Sequence, residues 1–121
     1  MNKKRILIVE DSDQIRNSWL NYLEKQIDAK FDDTGSGVEA LEFIKNNHYD
    51  LLICDLKMPI VDGIDVVKEL KEKNPQSKAM IITSWESDHV EKDVESVGAE
   101  YIKKSIELKD LKLIVERNLN D

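Results

Sequence analysis

The sequence predicts an α/β domain in which a parallel sheet is covered by helices on both faces. Five strand-length segments each precede a segment with helical spacing, the two kinds alternate strictly, and three of the strands are apolar at consecutive positions. Alternation requires crossover connections, which give parallel strands, and a run apolar at every position is buried on both faces.

Ile6 to Val9 is the first such run and stops abruptly at Glu10 and Asp11. Ile15, Trp19, Leu23 and Ile27 then recur every fourth residue behind Ser12 and Asp13, two residue types that cap helices, so an amphipathic helix follows. A weak strand is expected at Ala29 to Asp32. Thr34-Gly35-Ser36-Gly37 reads as a turn with capping residues, after which Val38, Leu41 and Ile44 mark a second helix ending near Asn46 and Asn47. Leu51 to Cys54 is the third strand and ends on Asp55, ahead of a loop containing Pro59 and Gly63.

Val66, Val67 and Leu70 define a third helix that must stop before Pro75, because proline disfavours helical geometry in the residue preceding it. Ala79 to Ile82 forms the fourth strand, closed by Thr83 and Ser84. Val90, Val94 and Val97 make a fourth helix with Gly98 at its end, and Tyr101-Ile102 begins the fifth strand before two lysines. Leu108, Leu111, Val115 and Leu119 complete a fifth helix. There is no linker or low-complexity stretch, and 121 residues suit one domain, expected over 1–121.

The net charge of −7 and pI near 4.9 argue against binding driven by a nucleic-acid backbone or an anionic membrane. The apolar run after Met1-Asn-Lys-Lys-Arg is too short for a signal-peptide core or a membrane span, so the cytoplasm is the expected location. Cys54, the only cysteine, has no partner for a disulfide or thiolate metal site and reads as a small buried hydrophobe. His48 and His89 read as surface residues without chemistry.

In an open parallel sheet, ligands bind beyond the carboxyl ends of the strands. Here those ends bear Glu10 and Asp11, Asp55, Thr83 and Ser84, and Lys103 and Lys104. Each acid taken singly reads as a helix cap or solvated loop residue. Together they bring three carboxylates, a hydroxyl and an ammonium to one place. At an effective dielectric of about 20, each carboxylate pair costs a few kcal/mol, so the cluster calls for a cation. Hard oxygen donors suit Mg²⁺ or Mn²⁺ rather than Zn²⁺.

Over essentially its whole length the chain resembles the receiver domain of bacterial two-component response regulators. The resemblance rests on an ordered set: Ile6-Leu7-Ile8-Val9-Glu10-Asp11-Ser12, Asp50 to Pro59 with Asp62-Gly63, Ile82-Thr83-Ser84, and Tyr101-Ile102-Lys103-Lys104. It implies a flavodoxin-like (βα)5 fold with strand order 2-1-3-4-5. It also implies that Asp55 accepts a phosphoryl group from a phosphohistidine on a sensor histidine kinase or histidine phosphotransfer protein. Asp11 would bind Mg²⁺ directly and Glu10 through water, with an Asp55 oxygen and the Lys57 backbone carbonyl completing the protein ligands. Lys104 and the Thr83 hydroxyl would hold phosphoryl oxygens. Thr83 and Tyr101 would form the switch that repacks the face made by helix four, strand five and helix five. The spacing from Tyr101 selects Lys104 over Lys103. Such a domain catalyses only its own phosphorylation and slow dephosphorylation.

Four features depart from the commonest pattern of that family. Glu10 stands where an aspartate is usual, and Ser105 follows Lys104 where proline is usual, leaving the isomer of that peptide and the resting position of Lys104 open. Trp85, two residues past Thr83, could shield the acyl phosphate from water and, with Lys57, tune its lifetime; the alternative is a surface indole packed along helix four. No output domain follows Asp121, which suits either a single-domain regulator acting on a downstream protein or the front of a longer chain. Other readings are a degenerate receiver that only docks, a phosphatase with an aspartyl nucleophile, and a flavin electron carrier. The phosphatase reading suffers from Lys57 standing where a second acid belongs, and the flavin reading from acids where a phosphate loop belongs.

Overall fold

A computed structural model describes residues 3–120. The expected domain over 1–121 thus includes Met1, Asn2 and Asp121, which lie outside the described residues. The strands are β1 (Arg5–Val9), β2 (Lys30–Thr34), β3 (Leu51–Asp55), β4 (Lys78–Thr83) and β5 (Glu100–Lys103). They form one parallel sheet in the order β2-β1-β3-β4-β5, as the family resemblance implies. The helices are α1 (Asp13–Gln26), α2 (Gly37–Asn46), α3 (Gly63–Lys73), α4 (Asp88–Ser96) and α5 (Leu108–Asn120).

The period-two alternation of strand side chains divides the core in two. Leu7, Val9, Leu52, Cys54 and Ile81 pack with Ala40 and Ile44 of α2, Val66, Val67 and Leu70 of α3, and Val94 of α4. Ile6, Ile8, Leu51, Ile53, Met80 and Ile82 pack with Trp19 and Leu23 of α1 and Leu111 and Val115 of α5. Each fully buried Leu or Ile in these rows contributes roughly 2 kcal/mol of transfer free energy. α4 is the exception to firm anchoring, since Val94 is its only buried residue.

One expected element is displaced. β2 runs from Lys30 to Thr34 rather than Ala29 to Asp32, because its register is set by β1, which pairs Arg5 with Lys30 through Val9 with Thr34. Thr34 is therefore a buried strand end and not a turn residue. Its hydroxyl donates to Glu39 Oε1 at 2.5 Å and accepts from the Ser36 N–H at 3.2 Å. Ser36 then caps α2. Other bounds move by a residue or so, with Arg5 joining β1 and Thr83 joining β4.

Caps place the helix starts at the same lip as the strand ends. The Ser12, Asp62 and Ser87 side chains accept from the N–H groups of Ile15, Asp65 and Val90, and Asp62 with Asp65 forms a capping box. α3 ends at Lys73 with Asn74 as its C-cap, just before Pro75, and Gly98 with φ +87° follows the end of α4. The β3–α3 loop is closed by Gly63 N–H donating to Leu56 O at 2.7 Å. A Cβ on Gly63 would lie 2.3 Å from Asp55 O, so only glycine allows this approach. At the loop's tip Ile60 has φ 71° and the Val61 N–H donates to Pro59 O at 2.8 Å, a positive-φ γ-turn.

Candidate functional site

β1, β3, β4 and β5 deliver five of the expected residues to one lip. Glu10, Asp11 and Asp55 each present a carboxylate oxygen, and all three oxygens lie within 4.8 Å of one another. Glu10 and Asp55 are buried while Asp11 is exposed. Asp55 Oδ1 accepts from the Leu56 N–H at 2.9 Å and lies 3.4 Å from Lys104 Nζ. Burial, and secondarily the Glu10 charge, push the Asp55 carboxyl up to about 6, against the opposing pull of Lys104 and the Leu56 N–H.

Lys104 makes its tighter ion pair with Glu10, at 2.6 Å from Oε1. The Lys104 ammonium is the only polar partner of that wholly buried oxygen among the described residues. Glu10 Oε2 accepts from the Ser12 N–H at 2.9 Å. The extra methylene that distinguishes Glu10 from an aspartate thus lets its carboxylate span from the loop backbone to the Lys104 ammonium. Three carboxylate oxygens within 4.8 Å of one another, with a single ammonium to offset their charge, fit a hard divalent cation.

Lys103 points elsewhere, lining a cleft with Glu86, Ser87, Asp88 and Tyr101, which supports Lys104 as the site's cation. The Lys104-Ser105 peptide is trans, as is every peptide among the described residues. Thr83 is buried, and its Oγ1 accepts from the Trp85 N–H at 3.1 Å. The Trp85 carbonyl in turn accepts from the Tyr101 hydroxyl at 2.7 Å. The phenol of Tyr101 is therefore tied to the β4–α4 connection rather than free in water. Trp85 is 55% exposed and carries the Lys57 ammonium 5.2 Å from its ring centre, beside a cleft of about 300 Å³ that also includes Leu56, Asp62 and Val90.

Cys54 is fully buried, and burial pushes its thiol well above the usual range. His48 lies 3.3 Å from Asp50 and His89 3.4 Å from Asp93, both on the surface, and His89 also lines the cleft beside Trp85 and Lys57. The sequence reading missed Arg16. Its guanidinium donates from Nη1 to Glu10 O at 2.7 Å, from Nε to Asp33 at 3.0 Å and from Nη2 to Asp13 at 2.7 Å. A cation in the first turns of a helix opposes the macrodipole, which was the signal that this arginine needs a local reason to be there.

The family model for the response regulator receiver domain matches residues 6–116. The chain is 35% identical over 102 residues to the chemotaxis protein CheY of Halobacterium salinarum, covering 84% of each chain. It spans only 19% to 48% of the length of several further curated relatives, among them transcriptional regulatory proteins and a cyclic di-GMP phosphodiesterase. A CheY-like receiver domain protein from Methanospirillum hungatei is 27% identical with a TM-score of 0.92, over 98% of this chain and 95% of that one. The response regulator TrrA of Thermotoga maritima, solved in complex with Mg²⁺-BeF, is 33% identical with a TM-score of 0.83, over 95% of this chain and 98% of that one. With the strand order and the acidic lip in agreement, the chain belongs to the response regulator receiver domain family.

Proposed function

We propose that Asp55 is a phospho-acceptor and that the domain is a phosphorylation-driven switch. The observation that supports this most directly is a buried carboxylate set between two further acids and a lysine, at the carboxyl lip of the sheet. Oδ1 of Asp55 is occupied by Leu56 N–H and Lys104, and among the described residues none donates to Oδ2, which is left as the attacking oxygen. Attack forms the P–O bond as the P–N bond of a donor phosphohistidine breaks, its electron pair returning to the imidazole nitrogen.

Glu10, Asp11, Asp55 and the Lys57 carbonyl would hold Mg²⁺, or Mn²⁺, which supplies neutralisation of charge at the transferring group when bound. Lys104 moves its ammonium from Glu10 towards a phosphoryl oxygen, and the Thr83 hydroxyl donates to another. Thr83 cannot shift without pulling on the Trp85 N–H, and Trp85 holds Tyr101, so the pocket is coupled to the α4, β5 and α5 face. Trp85 and Lys57 flank the pocket and would limit water's access to the acyl phosphate.

The partners are a histidine kinase or phosphotransfer protein on the input side and a downstream protein, or an output domain of a longer chain, on the other. Among the described residues no helix is long and apolar enough to cross a membrane, and the overall acidity disfavours direct nucleic-acid contact. We place the domain in the cytoplasm, where phosphohistidine donors act.

Incubation with Mg²⁺ and acetyl phosphate, followed by intact mass, tests the reading. A single phosphoryl group on wild type, absent from Asp55→Asn and absent without Mg²⁺, is the expected result. A label that persists in Asp55→Asn would overturn it, as would failure of wild type to bind Mg²⁺.

A further inference from the structure

We infer that Arg16 is a positioning residue for the metal cradle, setting the backbone that presents Glu10 and Asp11. This rests on the reading that the cradle holds Mg²⁺, and adds a residue that touches none of the reacting atoms. The geometry is a three-way clamp. Nη1 fixes the Glu10 carbonyl, Nε fixes Asp33 near the end of β2, and Nη2 fixes Asp13 at the start of α1. The guanidinium thus joins the end of β2, the β1–α1 loop and the first turn of α1.

Both backbone polar groups of Glu10 are held, its N–H donating to Thr34 O at 3.1 Å while its carbonyl accepts from Arg16. Asp11 follows directly and carries the cradle's exposed carboxylate. The side chain of Arg16 is 14% exposed, and its bonds to the Glu10 carbonyl and to Asp33 are partly sheltered from water while the arm to Asp13, itself 83% exposed, adds little. Gly35 supports the same placement, as a Cβ there would sit 2.7 Å from Arg16 Nη1. A lysine offers no planar fork and cannot span three acceptors at once.

Charge and positioning predict opposite signs. Deleting a cation that contacts the Glu10 backbone leaves the cradle more negative and strengthens its attraction for Mg²⁺ if charge is all that matters, whereas loss of the clamp weakens binding. Mg²⁺ titrations of wild type, Arg16→Lys and Arg16→Met, read by the metal-dependent rise in urea midpoint and by Mn²⁺ competition in electron paramagnetic resonance, decide between them. Expected is about tenfold weaker binding in Arg16→Met, with Arg16→Lys intermediate, and a phosphorylation rate from acetyl phosphate that recovers in Arg16→Lys as Mg²⁺ is raised to saturation. Unchanged or tighter Mg²⁺ binding in folded Arg16→Met overturns the inference, even if that variant is less stable in chelator. Should Arg16→Met not fold, Arg16→Lys and Asp33→Asn take its place, and wild-type affinity in both overturns the inference equally. Absence of Mg²⁺ binding in wild type sinks the proposed function instead, so the two failures are told apart.

Discussion

Asp55 is held in a place that favours its neutral form, so replacing it with asparagine should stabilise the metal-free protein at neutral pH. The folded state raises its carboxyl from the ordinary 3.8 to about 6. Between those values the folded protein binds more protons than the unfolded chain, so stability falls as pH rises through the window and the loss is complete above about 6. The difference corresponds to ~3 kcal/mol at pH 7.5, shrinking to ~0.5 kcal/mol at pH 4, where the folded carboxyl is protonated and the unfolded one is about two-fifths protonated. Asparagine keeps the shape, and its Oδ1 can still accept from the Leu56 N–H. Urea unfolding of wild type and Asp55→Asn in chelator should therefore show a midpoint raised by about 1–3 M at pH 7.5. The gap should close at pH 4, and also in Mg²⁺, which stabilises wild type by binding the folded state. No gain at pH 7.5, or an equal gain at pH 4, would refute the reasoning.

Lys104→Met should cost about 3–5 kcal/mol, since it strands the wholly buried Glu10 carboxylate, and adding Glu10→Gln should restore most of the loss in urea titrations. A double variant no better than the single would remove that explanation. Ile60→Gly should raise stability by about 1 kcal/mol by relieving a β-branched residue from positive φ, because the side chain is 91% exposed and its loss sacrifices no packing; thermal unfolding would show it, and a fall in midpoint would count against the strain. Trp85→Ala should shorten the lifetime of the phosphorylated form about threefold, equivalent to ~0.7 kcal/mol of barrier, as followed by intact mass. An unchanged or longer lifetime would remove Trp85 from any shielding role.

The parts of the fold that were legible in the sequence are those with uninterrupted apolar runs. β1, β3 and β4 are buried on both faces, so their hydrophobicity alone marks them. β2 was misplaced because Lys30-Phe31-Asp32-Asp33-Thr34 lies at the sheet edge and is mostly polar, leaving its position to be fixed by pairing with β1, which no local pattern encodes. At the site, strand ends told which residues meet, since topology brings them together whatever their side chains do. They could not tell which acid holds Lys104, because that depends on one methylene in Glu10 and on a 2.6 Å contact. Arg16 escaped notice for a related reason: its three acceptors are separated along the chain and include a backbone carbonyl.

The shallow seat of α4 has a consequence for how such a domain can diversify. With Val94 alone fully enclosed, nearly every other position from Ser84 to Ser96 faces solvent. New recognition specificities can accumulate along that ridge by substitution after substitution, while the sheet and the acceptor chemistry beneath it keep their sequence.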